Sequence, residues 1–337
     1  MKILIVGSGA IGGLIGVRLA LAGHQTMFLD KPDVIAALQT RGLTLVNRDG
    51  SRERIRDLTL LSAQDEIPDT DVVVLAVKAH DIAAVAPLVG RFTDNGVPLL
   101  TVQNGIPWWY FQRHGGEFES RHLTSLDPER RIASRIDPNH IIGCVAYPAA
   151  ESVDMATVRH VEGSGLPVGE LTGDGTPRTR DIAEVFQSAG FKSRVLTDIR
   201  SEIWLKAWGA LSFNPISALT GATMREICEN PMTRRLVAAM MQEAQRAAEQ
   251  LGVHFRVTLE RRIEGAERVG EHKTSMLQDR EAGRKLEVEA VLGAVCEIGQ
   301  IVNVETPTIE SVYALTRLLD SQISNSHSGP QTRENFN

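Results

Sequence analysis

Cysteine is scarce: Cys144, Cys228 and Cys296 are the three in 337 residues, and they lie far apart. So few exclude a disulfide framework, and their separation gives no metal-ligand spacing, so no metal is expected and a reducing cytoplasm is the expected setting. Also lacking is any run of the roughly 18 apolar residues that a membrane-spanning helix needs, so no membrane partner is expected. The opening MKILIVGSGAIGG resembles a short secretory segment only in placing a lysine before apolar residues. Glycines interrupt it early and no small-residue cleavage site follows, so folding is expected to start from the first residue. No lysine- or arginine-dense block accompanies the net charge of -6, which argues against nucleic acid as a partner and leaves pairs such as Arg130 and Arg131 as solvated surface. Aromatics make up 5% of the chain against 29 glycines, a balance that leans toward α/β or helical packing rather than a β-sandwich. Internal repeats and low-complexity tracts are absent as well.

What is present is enough for two cores. The length exceeds the roughly 250–300 residues at which one hydrophobic core stops growing. Residues 2–6 read as a short buried strand, a glycine-rich turn follows, a helical pattern runs to about Ala22, and residues 24–29 read as a second strand, which together make a βαβ unit. Further buried strands are expected at 71–77, 98–102 and 141–147, alternating with helices as in a parallel sheet covered on both faces. Residues 108–140 read as an elaborated loop with some helix, and 157–171 as paired strands. A helix is expected over 177–189 with proline in its first turn and Gly190 as its stop. After about Leu196 the pattern becomes helical, with segments at 202–213, 232–251 and 284–301. The expected fold is thus an α/β Rossmann-type N-terminal domain with a mostly parallel sheet (1–196), an all-α C-terminal domain (197–322) and a flexible tail (323–337). The long C-terminal helices offer faces on which a second copy could pair as a homodimer.

Gly7, Gly9 and Gly12 form GxGxxG directly after a strand and directly before a helix, the context in which the pattern carries weight. The first glycine makes the tight turn, the second lets the backbone approach a pyrophosphate, and the third lets helix and strand pack closely. Gly7, Ser8, Gly9, Ala10, Ile11 and Gly12 are therefore candidate dinucleotide contacts, with the diphosphate on the unpaired amides of the helix N-terminus. Asp30, at the end of the second strand, suits the ribose hydroxyls of NAD(H) and repels a 2′-phosphate; Lys31 next to it could attract one, so these two residues leave the cofactor open.

Three further places combine polar residues with a site-like position. Gln103-Asn104-Gly105 ends one strand at the sheet edge where ligands bind, with Lys78 at the end of another; an Asn-Gly turn and an exposed lysine are the plain alternatives. In WLKAWGALSFNPISALTG, Lys206 sits among apolar residues and must lie beside a cavity or a partner. Asn214 shares roughly its helix face about 12 Å away, and Pro215 is expected to bend or end the helix. In SMLQDREAGRKLEVEAVLG, Ser275 and Gln278 could form a capping box, Asp279 could pair with an arginine, and Glu287 opens a new helix; each has a purely structural explanation.

Taken together, GSGAIG, VKA at Lys78, QNG at Asn104, the Lys206 helix continuing into NPISALT, and SMLQD followed by Glu287 resemble the ketopantoate reductase family over nearly the whole length. The resemblance implies a cytoplasmic oxidoreductase that reduces 2-dehydropantoate to pantoate with NADPH. It makes Lys206 the proton donor, Asn104 a contact to cofactor and substrate, and Asn214, Ser275 and Glu287 part of the same cleft, expected between the two domains. Departures are Ala210 one turn after the lysine and Met224 ten residues beyond Asn214, where the family often has polar residues, the long 108–140 segment, and Asp30 in a family that mostly prefers NADPH. These keep open a reductase of another branched or hydroxylated 2-oxo acid, the use of NAD, and a dinucleotide-binding sensor without turnover.

Overall fold

The computed structural model describes residues 1–62, 65–66 and 68–327. The chain divides into two compact units, the first spanning Met1–Ile203 and the second starting at Trp204, later than the boundary expected after residue 196.

In the first unit, β1 (Lys2–Val6), α1 (Ala10–Leu21) and β2 (Gln25–Leu29) form the predicted βαβ unit. There follow α2 (Pro32–Arg41), β3 (Leu43–Val46), β4 (Arg52–Ile55), β5 (Thr59–Leu61), β6 (Val72–Leu75), α3 (Ile82–Asp94) and β7 (Leu99–Thr101). After the long connection come β8 (Ile141–Cys144), β9 (Ala149–Asp154), β10 (Thr157–Glu162), β11 (Val168–Glu170) and α4 (Pro177–Ser188). The main sheet has the order β11-β8-β7-β6-β1-β2-β5 and is parallel except for the edge strand β11, which runs antiparallel to β8. A second, four-stranded sheet, β4-β3-β10-β9, was not anticipated. The strands expected to pair within 157–171 do not pair with each other: β10 lies in the small sheet beside β9 and β3, and β11 completes the main one. Alternation along β10 is genuine, but periodicity says which face is buried and not which partner lies alongside.

Helix α1 contacts strands of both sheets, β1 and β2 on one side and β3, β9 and β10 on the other. This explains its sequence, AIGGLIGVRLAL, which has no polar face of the usual kind. Its glycines are set by contact. A Cβ on Gly16 would stand 2.6 Å from Cζ of the fully buried Phe28 in β2, and one on Gly13 would stand 2.8 Å from Val158 Cγ1 in β10.

The 108–140 connection contains two single 3₁₀ turns, at Gly116–Phe118 and Pro138–His140, and otherwise irregular turns. Its polar composition hides a core of Trp108, Trp109, Tyr110, Phe111, Leu123, Ile132 and Ile136, all buried. Trp109 Nε1 donates to Thr101 Oγ1 (3.0 Å) at the end of β7. Buried Asp127 accepts from the amides of Ile132 (3.1 Å) and Ala133 (2.9 Å). Arg200 donates to the carbonyls of Tyr110 (2.8 Å) and Gln112 (2.7 Å) and to that of Leu171 (2.5 Å) beyond the segment, which holds the start of the connection through backbone groups that would otherwise be costly to bury.

Helix α5 (Ile199–Thr220) starts in the first unit and continues into the second, which adds α6 (Met224–Glu229), α7 (Pro231–Gln250), α8 (Leu259–Val269), α9 (Ser275–Glu281), α10 (Ala294–Ile301) and α11 (Pro307–His327). Of the bend or end expected at Pro215, the end does not occur: α5 continues through it. Residues 215–218 beyond it are all buried, and that packing outweighs the lost helical hydrogen bond. Helix α7 presents Val237, Met240, Met241, Ala244, Ala247 and Ala248 to the core. Its buried Glu243 carboxylate accepts from the amides of Thr308 (3.0 Å) and Ile309 (2.9 Å), capping the start of α11. Residues 323–327, expected in a flexible tail, belong to α11; residues 328–337 lie outside the described residues. The expected helix over 284–301 begins late, as a π-helical turn at Glu289–Gly293 that leads into α10.

The glycine contacts of α1 generate a prediction. Gly16→Ala is expected to destabilise the chain by about 1–3 kcal/mol, the usual cost of overpacking, in urea unfolding, although alanine is the better helix former.

Candidate functional site

Gly7 leaves β1 with φ +93, a left-handed value that favours glycine, and a Cβ there would lie 2.8 Å from Val77 Cγ1. Its amide donates to the Leu29 carbonyl (2.9 Å), tying the turn to the end of β2. Gly9 is the N-cap of α1 and offers no side-chain cap, and the first turn carries no acidic residue. The first amides of a helix have no intrahelical acceptor, so they and the positive end of the helix dipole are available to an anion here. A Cβ on Gly12 would meet Ala76 Cβ at 2.9 Å, whereas one on Gly9 would meet nothing nearer than Ser152 Oγ at 4.0 Å. Gly12 is thus required by packing, while Gly9 leaves open space above the turn. The cradle fits a diphosphate.

Asp30 follows β2 and closes this cradle. Its Oδ2 accepts from the Ser8 amide (2.6 Å) and the Ser8 hydroxyl (2.7 Å), and its Oδ1 accepts from the Lys31 amide (2.8 Å). A carboxylate offers about four acceptor positions, so capacity remains for a ribose hydroxyl. Lys31 extends outward, 69% exposed, with its ammonium 3.8 Å from Asp81 beside the start of α3.

Lys78 lies after β6, at the same carboxyl edge of the sheet, where its carbonyl accepts from the Asp81 amide (2.9 Å). At the end of β7, Gln103 Nε2 donates to the Leu75 carbonyl (2.6 Å), fixing this edge against β6. Gln103 Oε1 and Asn104 Oδ1 are both shielded from solvent and accept no hydrogen bond among the described residues. Buried acceptors left in this state cost about 1–3 kcal/mol each, so their presence beside a dinucleotide cradle fits a ligand that brings N–H or O–H donors, such as a carboxamide or a ribose. The structure therefore brings Gly7, Ser8, Gly9, Gly12, Asp30 and Lys31 together and sets Lys78 and Asn104 along the same edge.

The remaining candidates lie in the second unit. Between residues 206 and 218, the three positions of α5 that are not buried are Lys206, Ala210 and Asn214. They recur every four residues, so over this stretch they form a single stripe whose neighbouring positions are buried. Trp208, on the far side, is fully buried and donates its indole N–H to the Met241 carbonyl (2.7 Å). Asn214 Nδ2 lies 3.5 Å from Ser275 Oγ, long for a hydrogen bond, which brings these two candidates side by side. Ser275 does not cap its helix as expected. Thr274 is the N-cap of α9 and accepts from the Leu277 amide (3.3 Å), which frees Ser275 to face Asn214. Asp279 pairs with Arg284 (2.9 Å), its structural reading. Glu287 stands just before the π-helical turn, its carbonyl accepting from the Val291 amide (3.1 Å). One polar residue escaped the sequence reading: Arg262 of α8, whose guanidinium covers Gly209 of α5. One arginine among the three of a charged amphipathic helix gives no local signal.

Comparisons with known proteins match two family models along the chain: "Ketopantoate reductase PanE/ApbA" over residues 3–173 and "Ketopantoate reductase PanE/ApbA C terminal" over residues 198–320. A curated 2-dehydropantoate 2-reductase of Mesorhizobium japonicum is 45% identical over 95% of this chain and 98% of its own length. Among solved structures, a candidate ketopantoate reductase from Ralstonia solanacearum MolK2 superposes with a TM-score of 0.90 at 36% identity, covering 95% of this chain and 98% of that one. D-mandelate dehydrogenase, solved with NADH and anilino(oxo)acetate, has a TM-score of 0.82 at 19% identity over 96% of this chain and all of its own; it shares the fold. Among the described residues, no helix is long and apolar enough to cross a membrane and no cluster of ligand-type side chains could hold a metal ion.

The open space over the cradle generates a second prediction. Gly9→Ala is expected to leave unfolding within about 0.5 kcal/mol of the parent while weakening dinucleotide binding by on the order of tenfold or more in calorimetry, because its methyl group occupies the approach of the pyrophosphate.

Proposed function

The chain belongs to the ketopantoate reductase family, and from that premise we propose that it reduces 2-dehydropantoate to pantoate with a nicotinamide dinucleotide, Lys206 supplying the proton. The observation that carries this reading is the stripe on α5: one lysine, partly exposed, on a helix packed on its other faces, with Asn214 and Ser275 side by side further along.

Reduction of a 2-oxo acid needs a hydride at the ketone carbon, a proton on its oxygen and a hold on its carboxylate. The bound nicotinamide supplies the hydride. The backbone amides of Gly9, Ala10, Ile11 and Gly12 would hold the diphosphate, Gly7 and Ser8 shape the turn beneath it through their own amide hydrogen bonds to Leu29 and Asp30, and Asp30 accepts from the adenosine ribose. Asn104, with Lys78 along the same edge, turns its shielded Oδ1 to a donor of the cofactor or substrate. The Lys206 ammonium stabilises the negative charge that develops on the ketone oxygen and then releases its proton to it, general-acid work worth on the order of 10² to 10⁴ in rate. Asn214 and Ser275 orient the substrate, and Glu287 accepts from a substrate or ribose hydroxyl.

The cofactor we propose is NADH rather than the NADPH that the family resemblance suggests. Support comes from the Asp30 carboxylate, locked into the glycine turn by Ser8, which places a fixed negative charge where a 2′-phosphate would stand; Lys31, next to it in sequence, already faces Asp81. Three buried free cysteines suit the reducing cytoplasm in which we place the enzyme.

A panel of 2-oxo acids, each assayed with NADH and NADPH by loss of reduced-cofactor absorbance, tests the assignment. Highest kcat/KM is expected with 2-dehydropantoate; turnover of another branched 2-oxo acid alone would transfer the activity to that substrate, and cofactor binding without any turnover would contradict it. Asp30→Asn is expected to shift the NADPH-to-NADH ratio of kcat/KM upward by on the order of tenfold, by removing a like-charge contact. Lys206→Ala should lower kcat by about 10²- to 10⁴-fold with dinucleotide affinity retained. Lys206→Arg should keep substrate binding and still lose turnover, because a guanidinium does not readily give up its proton.

A further inference from the structure

The α5 stripe carries one residue fewer than the chemistry asks for. The middle position, Ala210, is apolar, and so is Met224 at the start of α6, two places where the family resemblance leads one to expect polar contacts to the substrate. A 2-oxo carboxylate is left with the Ser275 hydroxyl and the Asn214 amide, both neutral.

Arg262 fills this deficit. Its guanidinium packs against Gly209: a Cβ built on that glycine would stand 3.1 Å from Arg262 Cζ and 3.2 Å from Nε, with Nη2 closer still. Gly209 is therefore the shelf on which the guanidinium rests, and it counts as buried because the arginine covers it. Lys206 and Gly209 are three residues apart on one helix, which sets their Cβ positions about 5–6 Å from one another on its surface. A planar cation is thus held beside the stripe, within a side chain's length of Lys206. Its Nε is shielded from solvent while the residue as a whole stays partly exposed, so the group is oriented without being shut away.

We propose that Arg262 is a specificity-determining residue that binds the carboxylate of the 2-oxo acid, resting on the reading that this chain reduces such an acid at Lys206. A guanidinium fork matches the two oxygens of a carboxylate and remains protonated throughout turnover, so it holds the substrate while the neighbouring ammonium gives its proton to the ketone oxygen. The division of labour is chemical: the group that cannot release a proton anchors, and the group that can release one reacts. Such a site selects free 2-oxo acids over their esters and amides.

The test uses the full-length enzyme with 2-dehydropantoate and with its methyl ester, which keeps the ketone and removes the negative charge. In the parent, kcat/KM favours the acid. Arg262→Gln is expected to cut the acid-to-ester ratio by about 10- to 100-fold, mainly through KM for the acid, the loss typical of one charge-assisted hydrogen-bonding pair, with dinucleotide affinity unchanged. Arg262→Lys should recover part of it. Gly209→Ala tests the same contact without removing the charge and is favourable to the helix itself; its methyl group displaces the guanidinium, so the ratio falls here too, and it adds nothing further in the Arg262→Gln background. Equal losses on acid and ester, or an unchanged ratio in both single variants, would overturn the role of Arg262 and leave the reductase reading standing. A parent enzyme that turned over neither compound would remove the reductase reading, and this one with it.

Discussion

A helix pressed between two sheets governs the first unit. Helix α1 has strands of the main sheet on one side and of the small sheet on the other, and it fits because Gly12, Gly13 and Gly16 leave no side chains at the closest approaches. Clamping on both sides fixes where its first turn points. That turn starts at a residue with no capping side chain, two residues after the positive-φ Gly7, so the backbone amides and the dipole of a rigid helix address one place outside the carboxyl edge of the sheet. The rest of that edge is organised around it: Ser8 locks Asp30, Gln103 locks the end of β7 to the end of β6, and Asn104 is left with a buried acceptor to offer.

The second unit solves a different problem, keeping a cation usable on a helix that is otherwise core. Burial of Trp208, Leu211 and Phe213 holds α5 in one rotation, and the three positions left over form the stripe. Cations differ in what they can do there. Lysine is a compact donor able to release a proton, and arginine is a permanent fork for paired oxygens; α5 and α8 present one of each within a helical turn. The chemistry of a 2-oxo acid, a ketone next to a carboxylate, has the same two-part form.

Much of this was legible in the residues. The βαβ unit, the glycine turn, the parallel strands and the helical second half all announced themselves through periodicity and turn chemistry, because local burial patterns report local structure. What escaped depends on long-range pairing. β3 and β4 are short and pair with each other locally, but the next strand of their sheet, β10, lies more than a hundred residues away, so nothing near them signals a second sheet. The 108–140 connection looked polar because arginine, glutamate, histidine and serine crowd it, while its large apolar side chains, buried as a group, escaped notice. At Pro215 the local rule allowed a bend or an end, and the helix continues through it into residues that are buried. Among site residues, Lys206 stood out because a charge amid apolar neighbours is locally odd. For Ser275 the sequence offered both a cap and a place in the cleft, and Thr274 beside it takes the cap; Arg262 was invisible because its meaning comes from a glycine on another helix.

The claim on which the account rests is that the uncapped first turn of α1 receives the diphosphate of a nicotinamide dinucleotide. Amide hydrogen exchange resolved to single residues, measured with and without NADH, addresses it most directly. Protection is expected to concentrate at the amides of Gly9 to Gly12 and at Asn104. Tight NADH binding that left those amides exchanging as before would contradict the account.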